Sequence, residues 1–366
     1  MSSSTAELCE VAQQLTAPGK GLLASDESTG TIGKRLAKAG ILNTEENRRQ
    51  YRELFYTADI GGGISGAILY EEALYQSASD GTPFVECLRQ QGVLPGVKVD
   101  EGLVPFGEVE GETETRGLGG LAERCRRYRR AGVRFAKWRA ALRISGEHGP
   151  SEAAAQRNAE QLAEYAAVCQ ACGLVPIVEP EVLIDGSHGI ERSGAAAERV
   201  LQACVAALWR SNVVLEATLL KPMMVMPGAD HTGSCAWPKE VAQATLTALR
   251  RSVPPAVPGI MFLSGGLSEE QATVNLNEIN RAAAASGGAP WRLSFSFGRA
   301  LQASVLEIWK EDRECVAAME RARAMAAALA AANGAASAGR YEAGSHPSIL
   351  SGGGSLREAF RGWRAP

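Results

Sequence analysis

Lys221 is the side chain in this sequence with the clearest capacity for covalent chemistry. It closes the run Val213-Val-Leu-Glu-Ala-Thr-Leu-Leu-Lys221 and stands directly before Pro222. The β-branched and aliphatic content predicts a buried strand over 213–221 that ends at the proline. An amine at the apolar mouth of a sheet loses hydration, so its pKa falls and a neutral, nucleophilic fraction appears near pH 7. Such an amine attacks a carbonyl and forms a Schiff base. A lysine at a strand end can equally lay its stem along the sheet and keep its head in water. The residues that accompany Lys221 decide between the two.

Three charged pairs occur at a spacing of two: Lys98/Asp100, Lys137/Arg139 and Glu179/Glu181. On a strand that spacing puts both members on one face. Together with Asp26, Lys221 and Arg299 they supply five cations and four carboxylates, a mixture suited to a small anionic ligand and internal proton transfer. Two glycine-bearing turns add an anion cradle. Ser264-Gly265-Gly266 follows Phe262-Leu263, and Ser296-Phe297-Gly298-Arg299 opens a helix. Backbone amides freed by glycine, a helix start and an arginine hold a phosphate. Asp26-Glu-Ser-Thr-Gly-Thr-Ile-Gly-Lys-Arg35 brings hydroxyls, glycines and two cations, although a capped helix start explains much of that composition.

The elements that must carry these groups alternate. Strand-like runs fall at about Gly21–Ser25, Ser65–Tyr70, Gly96–Asp100, Arg134–Ala140, Val175–Val182, Val213–Lys221, Gly259–Ser264 and Arg292–Ser296. Helical periodicity covers Ala6–Thr16, Thr44–Thr57, Leu118–Ala131, Ser151–Cys172, Glu191–Arg210, Lys239–Arg251, Glu269–Ala285, Ala300–Lys310 and Glu311–Asn333. Eight strands separated by helices predict an α/β fold, a (β/α)8 barrel with extra helices at both ends. A doubly wound open sheet has the same alternation, since periodicity does not show closure. In a barrel the outer face is covered by helices, so charges near strand ends line a polar mouth at the carboxyl ends.

Composition narrows the function. With 366 residues, 45% hydrophobic, 22% charged and a net charge of −3, the chain offers no global attraction to nucleic acid or acidic membranes. No run of about 18 apolar residues predicts a membrane span. The opening Met-Ser-Ser-Ser-Thr-Ala-Glu-Leu-Cys-Glu lacks the basic and apolar regions of a targeting signal, so a cytoplasmic protein is expected. The cysteines are scattered, and Cys169-Gln-Ala-Cys172 has no second pair at zinc-like spacing; it reads as two buried thiols in a reducing compartment. The four histidines are equally dispersed, so no metal site is expected. Two other classes remain to be weighed. A metal-dependent lyase would use Asp26, Asp100, Glu179 and Glu181 as oxygen ligands, but a lysine between them opposes it. A non-catalytic scaffold has no need of so many charges at strand ends.

Several stretches resemble the class I, Schiff-base fructose-bisphosphate aldolases: Leu23–Arg35, Asn43–Arg49, Val97–Asp100, Arg134–Arg139, Val178-Glu-Pro-Glu181, Leu219-Leu-Lys-Pro222, Phe262–Gly266 and Phe295–Leu301. The likeness runs from about residue 5 to about 341, motifs in order, and is nearest to plant-type cytosolic members. It implies one barrel domain over 1–341 and a flexible tail over 342–366, a homotetramer by family habit, sugar phosphates as ligands, and no cofactor. It further implies that Lys221 forms the Schiff base, Lys137 lowers its pKa, Glu179 shuttles protons and Asp26 takes the C4 hydroxyl proton. Glu181 would position Lys137 and the Glu179 shuttle. Ser264, Gly265, Gly266, Ser296, Gly298 and Arg299 would hold one phosphate; Ser28, Thr31, Arg35, Lys98 and Arg139 the other phosphate or the sugar hydroxyls. The family's terminal tyrosine is missing: the chain ends Phe360-Arg-Gly-Trp-Arg-Ala-Pro366, which implies slower enamine protonation and a weaker bisphosphate preference. Met223 and Phe297 replace the usual asparagine and tyrosine.

Overall fold

Eight parallel strands close on themselves in the computed structural model, which describes residues 5–145, 149–233, 238–342 and 344–350. They are β1 (Gly21–Ser25), β2 (Ile64–Leu69), β3 (Leu94–Lys98), β4 (Phe135–Arg143), β5 (Val175–Leu183), β6 (Leu219–Leu220), β7 (Gly259–Phe262) and β8 (Arg292–Phe297). Each pairs with the next, and β8 returns to β1 with Leu22 opposite Ser296. The expected barrel is therefore present, and the open sheet is excluded. Every residue of β5 is buried, because helices cover its outer face and side chains fill the interior.

The core forms two clusters. One lies between strands and helices. The other, inside the barrel, contains Leu22, Ile68, Phe135, Ile177, Leu219 and Met261, joined by Leu8, Val11 and Leu15 of the helix Thr5–Leu15. Ser65 Oγ donates to the Leu15 carbonyl at 2.6 Å, which ties this helix to the start of β2. It closes the amino end of the barrel with apolar side chains, so buried charge gathers at the opposite end.

Phe135 shapes that floor. A Cβ added at Gly96 would run into its ring, which leaves room for hydrogen alone. Gly96→Ala is expected to destabilise the chain by about 1–3 kcal/mol through overpacking. A lower urea midpoint, partly recovered by adding Phe135→Leu, checks it; an unshifted midpoint contradicts it.

The predicted strand over 213–221 is shorter than expected. Leu215–Ala217 forms a 3-10 turn, and only Leu219–Leu220 pairs as a strand. The side chain of Gln170 explains the difference. Its Oε1 accepts from Val214 N–H at 3.0 Å, and its Nε2 donates to the Val214 and Ala217 carbonyls. An amide from the neighbouring helix thus takes the place of a ladder. Pairing resumes in time for Lys221, whose N–H donates to Val178 O at 2.8 Å.

Four further elements lie outside the sequence-based expectation: helices Thr29–Lys38, Glu71–Leu74 and Phe84–Gln90, and a hairpin of Leu103–Pro105 with Thr113–Thr115. Beyond the last helix, Val316–Ser337, the chain folds back. His346 Nε2 lies 3.0 Å from Thr273 Oγ1, and Ser348 Oγ donates to Glu269 at 2.6 Å. Part of the tail expected over 342–366 thus lies against Thr273 and Glu269; residues 351–366 lie outside the described residues, and with them the terminal segment that lacks tyrosine.

Candidate active site

At the carboxyl end of the barrel, β4, β5 and β6 deliver Lys137, Glu179 and Lys221, each no more than 4% exposed. Glu179 lies between the two amines. Its Oε2 is 2.7 Å from Lys137 Nζ and its Oε1 is 3.5 Å from Lys221 Nζ. Lys137 also donates to Asp26 Oδ2 at 3.0 Å, just past the end of β1. One carboxylate is therefore shared by two cations, and the closer cation has a second counter-ion.

That asymmetry separates the two lysines. Burial disfavours charge on both. For Lys137 the Asp26 and Glu179 carboxylates outweigh burial and hold its pKa above the ordinary value. For Lys221 burial prevails; the Glu179 charge opposes it, the Lys137 charge adds to it, and the pKa falls. Asp26 moves the other way. Burial pushes its carboxyl upward, yet Lys137 and Lys221 overcome that and hold it at about 2. The site thus contains an ammonium held charged, a carboxylate held charged and one amine whose pKa burial lowers.

Glu181 sits elsewhere than expected. Its Oε2 accepts from Arg139 Nε at 2.5 Å, whereas Lys137 faces Asp26 and Glu179. The register decides this: Arg139 lies opposite Glu179 on the paired strands, two residues from Glu181, and its long side chain reaches diagonally. Glu181 thus orients Arg139. Lys98 Nζ pairs with Asp100 Oδ1 at 2.6 Å, and Asp100 Oδ2 accepts the Arg139 N–H at 3.3 Å.

The glycine turns follow β7 and β8. Ser264, Gly265 and Gly266 are buried, and Gly266 has a left-handed φ of 74° that favours glycine; a Cβ there would also strike Ile184. At Gly298 a Cβ would lie 3.2 Å from the Ala24 carbonyl. Ser296 is 1% exposed, and its hydroxyl has no hydrogen-bond partner among the described residues, a buried polar group left for something else to satisfy. Burial, with the charge of Arg35 adding to it and Glu181 and Glu27 opposing it, lowers Arg299 to about 10.

Arg35 pairs with Glu27 at 2.8 Å and also donates to Gln302 Oε1. Ser28 caps the helix Thr29–Lys38, accepting from Thr31 N–H at 3.3 Å, and its hydroxyl lies 3.1 Å from that of Thr31. Both therefore have a structural task at the start of that helix. Met223 and Phe297 are buried, the latter packed on Phe295 with ring centroids 5.3 Å apart. Cys169 Sγ lies 3.8 Å from Cys125 rather than against Cys172; the described cysteines are free thiols. Among the described residues no cluster of histidine, cysteine and carboxylates is arranged to hold a metal ion. Glu27 and Gln302 escaped the sequence reading; a glutamine in Ala300-Leu-Gln-Ala-Ser304 was the only signal for the second.

A closed (β/α)8 barrel with a buried, deprotonation-prone lysine and a glycine–arginine turn at its carboxyl mouth defines a sugar-phosphate type of barrel protein. The family model for fructose-bisphosphate aldolase class-I matches residues 7–353. The chain is similar to fructose-bisphosphate aldolase 5, cytosolic, of Arabidopsis thaliana, at 52% identity over 92% of each chain. It is also similar to fructose-bisphosphate aldolase, cytoplasmic isozyme 1, of Pisum sativum, 51% identical over 94% of each. The crystal structure of the Plasmodium falciparum aldolase, in complex with TRAP and a small-molecule inhibitor, superposes with a TM-score of 0.89 at 47% identity, covering 93% of this chain and 96% of that one. The chain belongs to the class I fructose-bisphosphate aldolase family. It is an aldehyde-lyase of glycolysis that cleaves fructose 1,6-bisphosphate reversibly to dihydroxyacetone phosphate and glyceraldehyde 3-phosphate, by the family's lysine Schiff-base chemistry.

Proposed function

We propose that Lys221 is the nucleophile and that Glu179, Asp26 and Lys137 divide the proton and charge work around it. The observation that carries this reading is the lowered pKa of a buried Lys221 whose nearest carboxylate is 3.5 Å away and already paired at 2.7 Å with Lys137. Neutral Lys221 attacks the C2 ketone and one proton of its nitrogen passes through Glu179 to the C2 oxygen; a second proton, taken from solvent and delivered by Glu179, lets that hydroxyl leave as water. The resulting iminium is the electron sink. Asp26 accepts the C4 hydroxyl proton, the C3–C4 bond breaks toward the iminium, and glyceraldehyde 3-phosphate leaves. Protonation of the enamine at C3 and hydrolysis then release dihydroxyacetone phosphate and regenerate the amine. Lys137 remains charged throughout and opposes protonation of Lys221.

Ser264, Gly265, Gly266, Ser296, Gly298 and Arg299 receive one phosphate, supported by the glycine approach and the unpaired Ser296 hydroxyl. Lys98, Arg139, Arg35, Ser28 and Thr31 serve the other end of the sugar, with Glu181 orienting Arg139. Residues 1–341 act as one catalytic domain, in a cytoplasmic homotetramer, as in the family. Turnover of fructose 1,6-bisphosphate by the purified protein tests the reading. The expected result is one molecule of each triose phosphate per turnover at a rate insensitive to excess chelator. Loss of cleavage in chelator would overturn it.

A further inference from the structure

Glu269 joins the two glycine turns through the helices that follow them. It opens the helix Glu269–Ala285, just after Ser264-Gly265-Gly266, and it is 1% exposed. Its carboxylate crosses to the start of the helix Ala303–Glu311, which follows Gly298 and the 3-10 turn Arg299–Leu301. There Oε1 accepts from Ser304 N–H at 2.9 Å and Oε2 accepts from Ser304 Oγ. Ser304 is 0% exposed, and its N–H is one of the first-turn amides that no carbonyl of its own helix can reach. Ser348 Oγ supplies a third donor at 2.6 Å. Each turn is also closed within itself: Leu267 N–H donates to Ser264 O at 3.0 Å, and Leu301 N–H to Gly298 O at 2.9 Å.

We infer that Glu269 is a positioning residue for the substrate phosphate, setting the distance between the turns Ser264–Gly266 and Ser296–Arg299. This rests on the reading that both turns receive one phosphate. The sheet does not set that distance. The ladder between β7 and β8 ends with Phe262 opposite Phe295, before either turn begins. Beyond it, β8 is held by β1 on its other side, with Leu23 opposite Phe297. The glycines shape each turn, through the left-handed φ of Gly266 and the close approach of Gly298 to Ala24, but they do not relate one turn to the other. The bonds from Glu269 to Ser304 do. A dianion held by two separate segments binds well when their spacing is set before it arrives, since ordering them on binding would cost affinity. Glu269 acts through Ser304 and the turn that precedes it, at the far side of the cradle from the reacting carbons.

Glu269→Ala cuts the tie. Glu269→Gln keeps its length, with the amide oxygen accepting from Ser304 N–H and the NH2 donating to the Ser304 hydroxyl. For Glu269→Ala, KM for fructose 1,6-bisphosphate is expected to rise about tenfold, the competitive inhibition constant of inorganic phosphate to rise in step, and kcat to fall no more than about threefold. Glu269→Gln should stay within about twofold of the parent in both constants. Ser304→Ala keeps the N–H arm and is the milder cut, with an expected rise of about fourfold. Ser348→Ala removes the third donor alone and should change neither constant by more than about twofold. Borohydride trapping of two ketones gives a readout that lost packing would not. In Glu269→Ala the concentration of dihydroxyacetone phosphate for half-maximal adduct should rise about tenfold, and that of dihydroxyacetone, which has no phosphate, less than about twofold. The inference is overturned if Glu269→Ala and Ser304→Ala leave phosphate inhibition within about twofold of the parent. It is equally overturned if the two ketones weaken together, or if Ser348→Ala alone reproduces the rise. A parent that traps both ketones at equal concentrations refutes the phosphate site itself, whereas a parent that prefers the phosphate, with Glu269→Ala unaltered, refutes only the role of Glu269.

Discussion

Lys221→Met is expected to lower kcat/KM for fructose 1,6-bisphosphate by about five orders of magnitude or more, a loss of roughly 7 kcal/mol of transition-state stabilisation. Everything downstream of carbonyl attack depends on the nitrogen: without it there is no iminium, and the electrons of the C3–C4 bond have nowhere to go. The fold should survive. Methionine is unbranched and fills a lysine-shaped channel, and removing a poorly compensated buried cation also removes its desolvation cost. Glu179 keeps Lys137 at 2.7 Å, so no carboxylate is left without a partner. A melting temperature within a few degrees of the parent would therefore accompany near-complete loss of cleavage. Lys221→Arg should be as inactive, because guanidinium holds its proton at all working pH values. Steady-state cleavage, followed by coupled detection of triose phosphate, reads both variants.

Asp26→Asn should cost about 10³ in the cleavage step while sparing imine formation. The amide occupies the same space but cannot take the C4 hydroxyl proton. The expected signature is split: the variant still forms a borohydride-reducible adduct with dihydroxyacetone phosphate, yet its single-turnover rate of hexose bisphosphate cleavage collapses. A variant that loses adduct and cleavage equally would place Asp26 in carbonyl attack instead. The pH dependence carries a sign as well. With the carboxyl held at about 2, Asp26 is a ready base throughout the neutral range, and it is lost only as pH falls through that value. An acid limb in kcat near pH 5 or 6 therefore belongs to another group, and Asp26→Asn should leave its midpoint where it was.

Much of this site is legible in the chain because strand periodicity is strict. Lys137/Arg139 and Glu179/Glu181 announce a shared polar face by spacing alone, and Pro222 marks where the strand bearing Lys221 must stop. Closure of the sheet then brings Asp26 to Lys137, a pairing across 111 positions. Register is what spacing does not contain. Whether Glu181 meets Lys137 or Arg139 depends on how β4 is set against β5, a two-residue difference with no trace in either strand. The helix Thr29–Lys38 was hidden because Gly30 and Gly33 weaken its propensity, although Ser28 supplied the cap. The turn at Leu215–Ala217 arose from Gln170, more than forty residues away, whose side chain captured the backbone. Gln302 was invisible for a related reason: its partners are Ala24, Arg35 and Tyr51, which only the folded chain assembles around it.

The nitrogen of Lys221 can be tested directly. Incubating the protein with dihydroxyacetone phosphate, reducing with borohydride and mapping the adduct by peptide mass spectrometry reports which amine bonded to the ketone. A single reduced adduct on Lys221, absent from Lys221→Met, is the predicted result. An adduct on Lys137 or any other lysine, or none while the parent still turns over hexose bisphosphate, would contradict it.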